Sequence, residues 1–533
     1  MDSHNRIVEA MSIIAGRIVA VGNTEHITAN ITSSTAIIDL GGQTVLPGFV
    51  DAHSHFPASG VGAVSIDLAP SPTGDTDTLE QLLDRLVKAA QASSDGDWLL
   101  GYNYDNTAFD DGEHPTRLQL DAAVPDYPVY LWHSSGHMGV ANSKALARLG
   151  IDGKNVPASD GTYGRDVNTG ALNGLLQEKS APPLSDLIKT LSFKKQMRIF
   201  TTARDDYLAA GITTIQNGYA GTSMMRALRL AQVAGQLPQR VVVWPAHSKM
   251  AISTKDSSSS IEHIEQIKGH STYVRGALKI IVDGSPQGMT AYLSEPYFDT
   301  RDKPAGYRGF ALIDQASLNT LVSDYHRRGY QLAMHGNGDA AIERIINAVE
   351  IAQAEHHRPD ARHLIVHAQT IRKDQIDRLP GLSLSPTFFT SHTYYWGDWH
   401  RQYTLGPERA GNISPARWAQ QAGVRFSLHS DTPVTPIAQQ QLLWSATKRK
   451  TQSGVILGAE QRIDMQSALR AITIDAAWQN HMEDAVGSLE VGKFADLVVL
   501  SQSPFDVEDV RSIDVLATYI NGIKRYEHPE SKK

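Results

Sequence analysis

Two histidines, His53 and His55, close an apolar segment: Leu46-Pro47-Gly48-Phe49-Val50-Asp51-Ala52-His53-Ser54-His55. In an extended strand, residues i and i+2 share a face. A His-x-His pair there can present two imidazole nitrogens to one cation. On its own the pair is weak, because 21 histidines in 533 residues would supply one by chance. Other residues able to do chemistry stand at the ends of other apolar segments. Lys279 lies inside the run 277–283. Residues 331–334 lead into His335, 364–366 into His367, and 425–430 into Asp431. Each has an ordinary explanation. A histidine at a strand end is usually a satisfied polar group, a strand lysine can extend its ammonium to water, and Asp431 before Thr432-Pro433 can cap the next turn. These separate explanations do not account for all six falling on the strands of one architecture.

That architecture is read from eight segments that predict strands: 44–52, 211–217, 240–246, 276–283, 330–335, 363–368, 382–386 and 425–430. Helical spacing follows several of them. In 339–356, Ile342, Ile345, Ile346, Val349 and Ile351-Ala352 recur at helical intervals. Strands alternating with helices predict an α/β fold with a parallel sheet. Eight such units predict a closed (β/α)8 TIM barrel, whose active site forms at the C-terminal strand ends. About 150 residues separate the first two strands, far beyond an ordinary connection, so 57–195 reads as an inserted subdomain. Residues 7–38 read as short strands and turns, with a hairpin over 11–22 turning at Ala15-Gly16. The stretches 487–500 and 515–522 have the same character. The two ends are therefore expected to build one β-sandwich, 1–43 plus 484–533, beside a barrel of 44–56 plus 196–483. There is no internal repeat, and the serine run 257–260 is the one low-complexity stretch.

Composition excludes several function classes. The chain is 41% hydrophobic and 20% charged, with mean hydropathy -0.28, as in ordinary soluble globular proteins. A formal net charge of -8 and a pI near 6.2 argue against nucleic-acid or anionic-membrane partners. No apolar run approaches the ~18 residues of a membrane span. The polar start lacks a signal-peptide pattern, so a cytoplasmic location is expected. With no cysteine, a metal must be held by histidines, carboxylates or something less usual.

With these residues in place, the chain resembles the amidohydrolase superfamily, and within it the third amidohydrolase family, which includes N-substituted formamide deformylases. The resemblance covers nearly the whole chain. It is carried by residues 46–55, Trp98-Leu99-Leu100-Gly101, residues 135–146 (beginning Ser135-Gly136-His137-Met138), residues 279–285, His335-Gly336-Asn337-Gly338-Asp339-Ala340, His367-Ala368, His429-Ser430-Asp431-Thr432-Pro433-Val434 and residues 487–497. It implies a metal-dependent barrel flanked by a sandwich. On the family pattern His53 and His55 hold one metal, and His335 and His367 a second. Lys279 is the lysine that CO2 carboxylates to bridge both, and Asp431 is a ligand and the general base. Zinc is the first expectation, and manganese, iron, cobalt or nickel fit similar donors.

The implied reaction is hydrolysis of a non-peptide C–N bond in an amide, N-acyl amine or formamide by a metal-activated water. The same attack would serve an ester or a carbamate. A non-catalytic metal- or ligand-binding protein is the reading from another class, and the intact set of six argues against it. The deaminase branch carries a glutamate three residues after the strand-five histidine, where this chain has Gly338. Family members also begin with an extra strand before residues 8–14, for which Met1 to Asn5 leaves no room. His137 is the candidate donor to a developing oxyanion. Phe56, Met289 and Tyr292 on rim loops, with His392 and Trp396 in the aromatic run 391–400, are candidates to enclose an apolar or aromatic substituent. The expected partner is a small-molecule substrate, and a homodimer is the default assembly.

Overall fold

Two parallel sheets form the centre of the chain in a computed structural model that describes residues 2, 5–29, 31–94, 97–152, 162–182, 184–249, 272–300 and 303–529. Met1, Ser3, His4 and the serine run 257–260 lie outside the described residues. One sheet orders Tyr273–Arg275, Arg240–Pro245, Ile212–Ala220 and Phe49–Val50. The other orders Leu278–Ile281, Leu332–Gly336, His363–His367, Leu384–Phe388 and Ser427–Leu428. Their strands are near-continuous apolar runs, as parallel strands covered on both faces must be. Val241 to Trp244 and Leu364 to Val366 are all buried.

The two sheets meet in one bent segment. Tyr273–Arg275 pairs with residues 241–243, and Lys279 bridges Ala246. The bend is at Gly276, where a Cβ would lie 2.7 Å from Trp244. At the far edges, the Asp431 N–H donates to the His53 carbonyl (3.1 Å) and the His55 N–H to the Thr432 carbonyl (2.8 Å). These bonds join the end of the last parallel strand to the end of the first.

Strand alternation sorts the side chains into two apolar clusters. Val241, Val243, Leu332, Met334 and Ile365 pack with Ile342, Ile345, Ile346 and Val349 of the helix Asp339–Glu355. Val242, Trp244, Ala333, Leu364 and Val366 form the second cluster, with Ala277 and Phe494.

The single strand expected over 44–52 is in fact two. Thr44–Pro47 pairs antiparallel with Leu497–Leu500, in a sheet completed by Val515–Ile520 and Ile523–Glu527. Only Phe49–Val50 joins the parallel sheet, beside Ile212–Ala220. The switch falls at Gly48, which passes so close to Thr213 that a Cβ would lie 2.3 Å away. His53 and His55 therefore lie beyond the strand, and strand alternation is not what orients them.

At the N-terminal end, Ala10–Ile14 and Arg17–Gly22 form the expected hairpin through Ala15 and Gly16, both at positive φ. Ile18 N–H then donates to the Lys493 carbonyl. A separate six-stranded sheet, from Ile66–Asp67 to Leu172–Gln177, is built wholly from residues within 57–195. Among the described residues, no helix is long and apolar enough to cross a membrane.

Arg240 fastens the C-terminal antiparallel sheet to the parallel one. Its buried guanidinium donates to Asp496 Oδ2 at 2.9 Å and Oδ1 at 3.2 Å, and stacks 3.9 Å from the Phe494 ring. Removing one partner of such a pair leaves a bare charge inside, at a cost of about 3–5 kcal/mol, whereas replacing both by apolar groups is often neutral. Arg240→Met is expected to lower the thermal midpoint clearly, and adding Asp496→Leu to restore most of the loss. Circular-dichroism melting checks this, and a double variant as unstable as the single one would contradict it.

Candidate metal centre

The six residues singled out above converge on one buried point. Asp431 Oδ1 lies 3.4 Å from His53 Nε2 and 3.2 Å from His55 Nε2, and its Oδ2 lies 3.9 Å from His367 Nδ1. Lys279 Nζ is 3.2 Å from His53 Nε2. The His335 and His367 rings are 4.5 Å apart. His53, His367 and Asp431 offer donor atoms that all lie within 4.8 Å of one another. His55 is about one-third exposed and forms the open side, while the other five are buried.

Local backbone aims these groups. His367 is out of phase with the inward-facing Leu364 and Val366, so simple alternation would send it outward with Ile365. Its φ of 76°, followed by 48° at Ala368, turns the chain end instead. Asp431 also takes a positive φ, 51°. Left-handed conformations at non-glycine residues are costly and gather at functional sites. The bend carrying His53 and His55 is held by the Gly218 N–H donating to the Ser54 carbonyl (2.7 Å). Gly218 must lack a side chain, since a Cβ would sit 2.2 Å from the His53 ring.

A second set of groups fixes the rings. His53 Nδ1 bonds Gln216 Oε1 (3.1 Å), and the ring stacks on Trp244. His335 Nδ1 bonds Asp283 Oδ1 (3.1 Å), leaving Nε2 turned to the other side of the ring. Asp283 is itself held by backbone N–H groups of Asn337 (3.0 Å), Gly338 (2.8 Å) and Tyr292 (3.0 Å). That explains Gly338, whose Cβ would be 2.0 Å from the Tyr292 carbonyl oxygen.

Electrostatics matches a cation site. Burial holds His53, His335 and His367 well below the usual histidine range, so their nitrogens keep lone pairs. Burial also pushes the Lys279 ammonium down to about 7, with Asp431 opposing. Burial raises Asp431, but its bond to His55 and the charges of His55, His429 and Lys279 outweigh this and hold it below the ordinary carboxylate value. His367 Nδ1 is buried without a hydrogen-bond partner among the described residues. Neutral imidazoles, an ionised carboxylate and an unpaired buried nitrogen are the donor set that divalent transition ions take.

His137 enters from the 57–195 segment, just before the strand Met138–Ala141. Its ring is 5.4 Å from His335, and its Nδ1 lies 2.9 Å from Glu178 Oε2. Burial lowers His137, but the Glu178 carboxylate more than offsets this and carries it above its ordinary value.

The candidate pocket residues divide. Trp396 lines a cleft of about 980 Å³, with Tyr102, Asp105, Tyr395, Trp399 and Thr432, the neighbour of Asp431. Its Nε1 donates to Asp105 Oδ2 (2.8 Å), so the 57–195 segment braces this wall. His392 is buried behind it, bonded to His400 Nε2 (3.0 Å). The structure does not bring the other three to the cleft. Phe56 packs in the core against Phe200 and Tyr207, and Met289 lies in a cluster with Leu293 and Tyr297. Tyr292 faces Arg344. Gln216, Trp244 and Asp283, which shape the centre, were not identified from sequence. Asp283 at the end of its strand was the visible clue.

A model described as the amidohydrolase family matches residues 36–524. The chain belongs to the amidohydrolase family. As an amidohydrolase it is a metal-dependent hydrolase of carbon–nitrogen bonds other than peptide bonds. It is 27% identical over 543 aligned positions to the N-substituted formamide deformylase of Arthrobacter pascens, covering 100% of this chain and 97% of that protein. It is 29% identical to the Arabidopsis thaliana protein LONG AFTER FAR-RED 3, covering 98% and 89%. Its fold is shared with an uncharacterized metal-dependent hydrolase from Pyrococcus horikoshii, at TM-score 0.71 and 23% identity, covering 94% and 95%.

Losing the group that orients a metal-binding histidine typically weakens affinity about 10–100-fold. Asp283→Asn is expected to weaken divalent-ion binding by that order in a chelator competition. Unchanged affinity would show that Asp283 does not support the centre.

Proposed function

We propose that this amidohydrolase cleaves the C–N bond of an N-acyl amine or formamide-type substrate at a centre of two divalent ions, zinc first among them. His53 and His55 would hold one ion, His335 and His367 the other, with Asp431 as a further ligand and Lys279, carboxylated by CO2, as the bridge. The observation that carries this is the convergence of four imidazoles, Lys279 and Asp431 on one buried point. The formamide deformylase relative supports the substrate class. In this reading the two parallel sheets are a single (β/α)8 barrel closed between Asp431 and His53. The terminal strands form its flanking β-sandwich, and 57–195 is an inserted subdomain.

When bound, the ions supply Lewis-acid polarisation of the substrate carbonyl and an activated water. The chain's own residues do the rest. Lys279, depressed to about 7 by burial, is substantially neutral at pH 7 and above. Its Nζ lone pair can add to CO2 with loss of one N–H proton. The product is an N-carboxylate with two oxygen donors, which gives a fully buried lysine an anionic role. Asp431, ionised at neutral pH, takes a proton from the attacking water and returns it to the leaving nitrogen. His137, held by Glu178 through Nδ1, has its other ring nitrogen left to donate to the developing oxyanion. The Trp396 cleft receives the amine substituent.

Asp431→Asn separates binding from chemistry. It is expected to keep most of the metal while kcat for amine release from N-acyl amines and formamides falls about 10²–10⁴-fold, the usual scale of a lost acid–base group. Full activity in that variant would remove Asp431 as the base.

A further inference from the structure

One buried group beside the centre has no part in the reaction above. His429, two residues before Asp431, is 1% exposed, and neither of its ring nitrogens has a hydrogen-bond partner among the described residues. A neutral imidazole carries one N–H donor and one lone pair. Leaving both unmet in the interior is unfavourable, and buried polar groups in native proteins are nearly always paired. An apolar ring would fill the same space against Phe389, 4.7 Å away, without that penalty. The position of His429 indicates what it answers to. Its ring centroid is 5.3 Å from that of His53 and 5.0 Å from that of His367. These two, with Asp431, are the residues whose donor atoms already cluster within 4.8 Å. His429 sits just outside that trio, on the same strand end as Asp431, with a lone pair that none of the described residues engages.

We propose that His429 is a further ligand of the metal centre, on the side where the His53 and His367 rings and Asp431 come together. The proposal rests on the reading of this point as a metal centre. An imidazole nitrogen suits zinc and the other divalent transition ions alike. It would give one of the two ions a third imidazole. A short turn of the His429 side chain onto the ion would pair a nitrogen that is otherwise bare.

His429→Phe keeps the bulk of the ring against Phe389 and removes both nitrogens. Wild type and variant are stripped, reloaded with Zn2+ or Co2+ alone, and compared by chelator competition and by the Co2+ absorption spectrum. The variant is expected to hold at least one ion on the order of tenfold more weakly or worse, with altered Co2+ bands. A folded variant with wild-type affinity and an unchanged Co2+ spectrum would overturn the proposal while leaving the metal centre standing. A wild type that binds neither ion would overturn the metal centre itself. Should His429→Phe fail to fold, a crystal structure of the zinc-loaded wild type decides the matter. A His429 nitrogen at about 2.0–2.1 Å from the ion confirms the ligand, and one beyond bonding distance refutes it.

Discussion

Burial gathers basic nitrogens around one carboxylate at the centre of this protein. His53, His335, His367 and Lys279 lie inside the protein, and burial alone removes much of their affinity for protons. Proteins rarely leave such groups unpaired, because each gives up its bonds to water on folding. Here the pairing inside the chain is incomplete: Asp431 is one anion facing His53, His55 and His367. A divalent cation makes these neutral lone pairs favourable, which a proton does not. The site is therefore a poor core and a candidate metal receptor.

Holding such a receptor open requires rigid surroundings, and these lie on elements far apart in the chain. Gln216 comes from the strand beside Phe49–Val50, Asp283 from the end of the lysine-bearing strand, and Trp244 from the strand whose Ala246 bridges Lys279. Glu178, from the 57–195 segment, grips His137. Asp105, from the same segment, anchors Trp396 on the loop after the strand Leu384–Phe388. That segment is thus part of the wall around the chemistry as well as an appendage.

Much of this was legible in the sequence, because parallel strands buried on both faces write themselves as apolar runs. The strands at 240–245, 363–367 and 384–388 and the helix Asp339–Glu355 fall close to their expected ranges. Most of the chemical residues were legible because they stand where those runs end, and Lys279 because a charge interrupts one. Contacts between distant residues were not. The change of sheet at Gly48 depends on Thr213, over 160 residues away. The inward turn of His367 depends on a left-handed backbone that alternation would not predict. Phe56 stands next to His55 in sequence, yet it packs into the core against Phe200 and Tyr207. Adjacency to a candidate metal ligand therefore said little about direction. His429 was visible only as part of a motif, and its two unpaired nitrogens emerge only when its neighbours are known.

On the proposed reading, this buried cluster is a binuclear metal centre bridged by carboxylated Lys279. Elemental analysis of protein purified without chelator and loaded in the presence of bicarbonate tests it most directly. About two transition-metal ions per chain are expected, the number a bridged pair requires, falling when bicarbonate and CO2 are excluded during loading. Protein that takes up no metal under either condition would contradict it.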